Sequence, residues 1–334
     1  MVLPGFEHRP GVHCGSTAVA DALRVRGVPL SEPMAFGLGA GLGFYALAAP
    51  DLSPTQLLQG RQARLELTAC EVLGLAAEER AADGAAEAWA GARSALERGI
   101  APILATDLAE LPYWQTRTHF GGHRVVLAGF DPERGVALLA DTDRPALEEV
   151  ALDVLDRARA SVAPFFFTPG RPWIEIAGRG PGRPLPEAIA EALRRQAREF
   201  LIDQEGLSGA SALERFAAEL PEWPARAAGE ADRVWCFRYA YQVIERRGTG
   251  GGFFRALYAR FLREAEALLP GLARLELSAG MEELAGRWSR LAAGLRAVGD
   301  EPGGAVPAAL AAEARALAAA ERRWHEGALA RVRA

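Results

Sequence analysis

Apolar and polar positions follow two regimes along the 334 residues. Up to about residue 168 short apolar runs alternate with short periodic stretches, whereas after residue 185 the helical period dominates. The first periodic stretch is His13-Cys14-Gly15-Ser16-Thr17-Ala18-Val19-Ala20-Asp21-Ala22-Leu23. Pro10-Gly11 precedes it, and Ala18, Ala22 and Val25 share a face, so Cys14 falls where a loop turns into a helix. Phe36 to Tyr45 alternates glycine with apolar residues and reads as a loop packed close to another backbone. A dinucleotide-binding reading needs a preceding strand, and the polar turn Ser31-Glu32-Pro33 stands there instead. Leu57 to Leu75 is mixed. Ala85 to Arg98 reads as a helix stopped by Gly99, Ala101 to Thr106 as a buried strand, and Asp107 to Trp114 as a loop.

His123 to Phe130 is β-branched and apolar, Asp131-Pro132-Glu133-Arg134-Gly135 is a turn by composition, and Val136 to Ala140 returns. This predicts a hairpin with Asp141-Thr142-Asp143 at its end. A helix over about Leu147–Ala160 and an apolar run at Ala163–Thr168 follow. The proline- and glycine-rich stretches at 169–172 and 178–184 mark a domain boundary. Beyond it the pattern predicts helices over 186–202, 210–220, 230–247, 252–269, 281–298 and 307–333, with Gly248-Thr249-Gly250-Gly251-Gly252 as a hinge between the third and fourth. No fixed-period repeat is present, which favours a bundle over a solenoid. The domains are therefore read as 1–175, α+β with an antiparallel sheet, and 185–334, all-α.

Composition narrows the chemistry. The net charge of −5 gives no electrostatic footprint for nucleic acid. All 38 basic residues are arginine, which removes Schiff-base, P-loop and serine–lysine chemistry. Three scattered cysteines make neither a disulfide framework nor a zinc site. The N-terminus lacks the pattern of a secretory signal, and the apolar window at 34–50 is short for a bilayer. A soluble cytoplasmic protein is expected, with no membrane partner; self-association is left open.

A cysteine at a helix start gains from unpaired N–H groups and the positive end of the helix dipole, both of which favour the thiolate. Such a nucleophile needs a base and a group to orient that base. Of five histidines, His123 opens a strand whose partner strand ends at Asp141, so the two can meet at one end of the hairpin. His119 is the second choice of base, and Gly121-Gly122 argues against a metal pair of His119 with His123. His325 reads as a solvated residue of a charged helix, and Cys70 and Cys236 as packed thiols.

The order Cys14, His123, Asp141 resembles that of papain-like cysteine enzymes, and within them the bacteriocin-leader peptidase branch. In papain-like enzymes a glutamine six residues before the cysteine donates to the oxyanion; here that position is His8. A longer set of motifs is similar to the butirosin biosynthesis protein H family and its helical companion domain of unknown function. These are His13-Cys14-Gly15-Ser16-Thr17-Ala18, Phe36-Gly37-Leu38-Gly39, Leu111-Pro112-Tyr113, His123 with Gly129-Phe130-Asp131, and Ala140-Asp141. In the second half the set continues with Gly248-Thr249-Gly250-Gly251-Gly252-Phe253-Phe254-Arg255, Leu257-Tyr258 and Phe261-Leu262. The resemblance implies acyl transfer from an acyl-carrier-protein thioester to an amine of the aminoglycoside or polyamine type. Cys14 would be the nucleophile, His123 the base and Asp141 its orienting acid. His8, His13, Gly37, Gly39, Tyr113 and Trp114 are candidates for the oxyanion site and pocket. No resident cofactor is implied, since phosphopantetheine would arrive on the carrier. A hydrolase with the same triad and a non-catalytic binding module are the alternatives.

Overall fold

The computed structural model describes residues 1–162, 170–180, 182–202 and 206–332. The chain forms α1 (Cys14–Val25), α2 (Glu32–Leu38), β1 (Leu42–Ala48), β2 (Gln56–Arg61), α3 (Leu65–Leu73), β3 (Ala77–Arg80), α4 (Ala85–Glu97), β4 (Ile103–Thr106), β5 (His123–Asp131), β6 (Val136–Ala140), β7 (Glu148–Ala151), α5 (Leu152–Ala160) and β8 (Trp173–Ile176). Helices follow: α6 (Leu185–Leu201), α7 (Gly209–Glu219), α8 (Trp223–Arg226), α9 (Glu230–Glu245), α10 (Arg255–Leu268), α11 (Pro270–Ala273), α12 (Leu277–Asp300) and α13 (Ala308–Arg331). The fold is thus α+β, with antiparallel sheets and a helix-rich second half. Among the described residues no helix is long and apolar enough to cross a membrane.

Two compact units emerge, and they are not the two halves expected. The first comprises Met1–Ala35 and Arg64–Leu185, the second Phe36–Ala63 and Pro186–Ala334. The first unit is built on one six-stranded sheet in the order β3-β8-β4-β5-β6-β7, antiparallel throughout. Strand β8 sits inside it between β3 and β4, so the loop-like zone after 168 contains a buried strand and is more than a linker. Residues 148–151, expected as helix, pair with β6 instead (Leu138 opposite Glu149), because β6 has an edge that only another strand can satisfy. Helix α1 packs on β5 through a face that includes the fully buried Val19 and Leu23. The apolar run at 163–168 lies outside the described residues.

In the second unit residues 36–63 supply the end of α2 and the hairpin β1–β2. This corrects the contiguous domains; among the described residues every element after 185 is helical, as expected. The physical reason is aromatic packing. Phe36 stacks on Phe254 (5.7 Å between centroids, 8°), and Phe44 lies 6.0 Å from Phe253 and 5.9 Å from Trp288. Phe36–Leu38 form helix rather than glycine-rich loop, and Gly37 abuts Phe261 so closely that a Cβ would lie 2.0 Å from its ring. The 248–252 turn closes α9 onto α10. Left-handed backbone continues from Gly250 through Phe254, and Phe253 and Phe254 are pressed inward as a result. At the centre Arg255 pairs with Glu321 (2.7 and 3.1 Å), both fully buried, while Trp288 Nε1–H donates to the same carboxylate at 2.6 Å.

Candidate active site

Helix α1 starts at Cys14 because His13 caps it: His13 has extended backbone angles, and its Nδ1 accepts the N–H of Ser16 at 3.2 Å. His13, expected among the pocket residues, is thus engaged at the helix end through Nδ1. Cys14 itself remains half-buried.

The hairpin β5–β6 pairs Val126 with Ala140 and Leu127 with Leu139, which brings its open end together. There Nε2 of His123 hydrogen-bonds to Oδ1 and Oδ2 of Asp141, each at 2.9 Å. His123 is also hydrogen-bonded to Cys14. With Nε2 facing Asp141, the ring nitrogen left for the thiol is Nδ1. Burial alone would lower the His123 pKa. The Asp141 charge and hydrogen bond, joined by Cys14, outweigh it and raise the value to about 10. Burial pushes the Asp141 pKa up, but the His123 charge and hydrogen bonds from His123, Tyr113 and Trp114 leave it below the usual carboxylate range.

Tyr113 and Trp114, expected as pocket walls, both hydrogen-bond to this carboxylate. The Tyr113 hydroxyl and the Trp114 Nε1–H donate to Asp141 Oδ2 at 2.7 and 2.8 Å. The Trp114 ring also meets His123 edge-on at 5.6 Å, and the Arg144 guanidinium lies over the Trp114 ring, 4.5 Å from its centroid. Thr142, unnoticed in the sequence, donates its hydroxyl to Asp141 Oδ1 at 2.9 Å. Asp141 thus accepts from four side chains. Its position directly before a hydroxyl residue was the only clue to that.

His8 is buried, and its Nδ1 is held by Asp21 of α1, which also receives Arg24 at 2.9 Å. Burial lowers the His8 pKa, but the Asp21 hydrogen bond and charge prevail and raise it. Its Nε2 lies toward the Arg144 carbonyl without a hydrogen bond of ordinary geometry. His119, the second choice of base, is bonded through Nδ1 to Asp107 at 2.8 Å. Gly37 and the buried Gly39 belong to the second unit. His325 is fully buried rather than solvated, stacked on Phe200 at 3.9 Å. Cys70 is a packed thiol, pushed up to about 12 by burial and by the Glu66 and Glu71 charges; Cys236 is likewise buried and raised.

Fold and site together define an α+β protein with a half-buried cysteine at a helix start, a histidine bonded to it and a carboxylate behind the histidine. The profile of the family described as butirosin biosynthesis protein H, N-terminal, matches residues 13–142, and that of a domain of unknown function (DUF4872) matches 153–327. The chain belongs to the DUF4872 family, and the two domains stand in the order the motifs imply. No curated protein matches it.

Proposed function

We propose that the first unit is a papain-like cysteine acyltransferase of antibiotic or other specialised biosynthesis, which moves an acyl group from a carrier-protein thioester to an amine. The observation that carries this reading is the continuous set Cys14, His123, Asp141, hydrogen-bonded in that order. With the His123 pKa raised to about 10, an imidazolium stands beside Cys14 at neutral pH, and its charge favours the ionised form of the thiol. Cys14 Sγ attacks the thioester carbonyl, and the tetrahedral oxyanion receives the Cys14 backbone N–H. His8, whose pKa the Asp21 hydrogen bond and charge raise, is the candidate second donor through Nε2. Collapse breaks the carbonyl–sulfur bond of the donor, and His123 gives its proton to the departing phosphopantetheine thiolate. The acceptor amine then attacks the Cys14 thioester and passes a proton to His123 as Sγ leaves. Asp141 stays ionised throughout and holds the imidazole ring.

Intact mass tests this directly. Incubation with a panel of acyl thioesters adds one acyl mass to the wild-type chain and none to Cys14→Ala. Addition of an amine then releases an amide. If water remains the acceptor at every amine concentration, the protein is a hydrolase with the same triad; if no thioester labels Cys14, it is a non-catalytic module.

A further inference from the structure

The polar turn at 31–33 carries a carboxylate that the proposed chemistry leaves unused. Glu32, the first residue of α2, lies against the loop that leads into Cys14. Its Oε1 accepts the backbone N–H of His13 at 2.8 Å and that of Val12 at 3.0 Å, and Oε2 accepts from Val12 at 3.1 Å. The hydroxyls of Ser16 and Thr17, in the first turn of α1, reach Oε1 at 3.2 and 3.3 Å. One carboxylate thus gathers donors from both sides of Cys14 in sequence. Gly11 leaves room for it: a Cβ there would stand 2.1 Å from Thr17 Oγ1 and 2.8 Å from Glu32 Oε2. On its other side the same loop is tied to the hairpin end, since Gly11 N–H donates to the Thr142 carbonyl at 2.7 Å, one residue beyond Asp141.

We propose that Glu32 is a positioning residue for Cys14: it fixes the angle at which the loop enters α1, and its charge opposes formation of the neighbouring thiolate. The proposal rests on Cys14 being the nucleophile. Hydrogen bonds from backbone to a carboxylate are among the stronger ones, so five contacts at one point hold the loop in a single arrangement. A carboxylate at the helix start also takes up part of the positive potential that would otherwise favour the thiolate. The other charged or titratable groups toward Cys14 include His13 in its own cap, His123 and Asp141 from the hairpin, His8 with Asp21, and Glu66 with Arg124 beside Gly15.

The test compares wild type, Glu32→Gln and Glu32→Ala. Two rates are read: alkylation of Cys14 by iodoacetamide across pH, resolved by peptide mass, and acylation by S-acetyl-N-acetylcysteamine. Glutamine keeps an acceptor oxygen and removes the charge. Its alkylation midpoint should move down by about half a pH unit, giving about threefold faster alkylation below the midpoint. Its acylation rate should stay within about threefold of wild type. Alanine releases the loop, and a misplacement of about 1 Å should cut acylation about 100-fold. Wild-type acylation in the alanine variant, or an unmoved midpoint in the glutamine variant, overturns the proposal. Should the alanine variant fail to fold, the glutamine midpoint decides alone. If wild type is never acylated by a thioester, acyl transfer fails, while the alkylation profile still reports on Glu32.

Discussion

His123 in the first unit and His325 in the second are both removed from water, 4% and 0% exposed, yet they are displaced in opposite directions. His123 is raised to about 10 and His325 lowered to about 4. Burial opposes the charged form in both cases. The difference lies in what the ring faces. His123 meets an ionised carboxylate and a thiol, and the partner charge overrides burial. His325 meets the Glu321 carbonyl through Nδ1 at 2.9 Å, while the Glu321 carboxylate is engaged by Arg255. There burial wins over the Glu321 charge, helped by the Arg255 cation. Histidine, acid and aromatic partners occur in both clusters. Only the one in the first unit also contains a half-buried thiol, so a reactive-looking set of residue types is insufficient without an accessible atom.

Several substitutions sharpen this contrast, from the largest effect to the smallest. Cys14→Ala should abolish the acyl-enzyme, and His123→Ala should slow its formation by about 10³–10⁴-fold in single-turnover assays. His325→Gln should leave the same rate within about twofold, and an equal loss in both would erase the distinction. Glu321→Ala leaves Arg255 charged and buried without its partner, and should cost about 3–5 kcal/mol in urea unfolding.

Stability should also fall on both sides of neutrality. The His123 contribution is full below its unfolded value of 6.5 and disappears as pH rises toward about 10. The His325 contribution is full above 6.5 and disappears as pH falls toward about 4. Each limb is worth roughly 3–5 kcal/mol. Urea midpoints against pH should show the alkaline limb flattened in His123→Gln and the acid limb in His325→Gln. Tyr113→Phe removes one of four donors to Asp141, and the acylation rate should drop by roughly five- to tenfold with little change in the unfolding midpoint.

The Cys14–His123–Asp141 set could be read from the chain because each member sits where a local pattern changes. Cys14 opens a periodic stretch, His123 opens a β-branched run, and Asp141 ends the return strand across a turn with its own composition. The helices after 185 were equally visible, since their period is long and uninterrupted. What the sequence concealed depends on distant partners. Tyr113 and Trp114 look like wall residues until the hairpin brings Asp141 to their hydroxyl and indole N–H groups. Residues 148–151 look helical until β6 offers them an edge. His325 lies among charged neighbours in sequence, while its own side chain turns inward onto Phe200. Phe36 meets Phe254 and Phe44 meets Trp288 more than 200 residues later.

That last separation has a consequence during synthesis. At roughly 5–20 residues per second, residues 36–63 wait on the order of ten to fifty seconds before Phe253, Phe254 and Trp288 leave the ribosome. For that time an early segment rich in phenylalanine and leucine lacks these aromatic partners, although the strands and helices on either side of it already can fold. The nascent first unit must therefore carry an unfinished loop, and a chain cut in the 169–184 zone would carry it permanently.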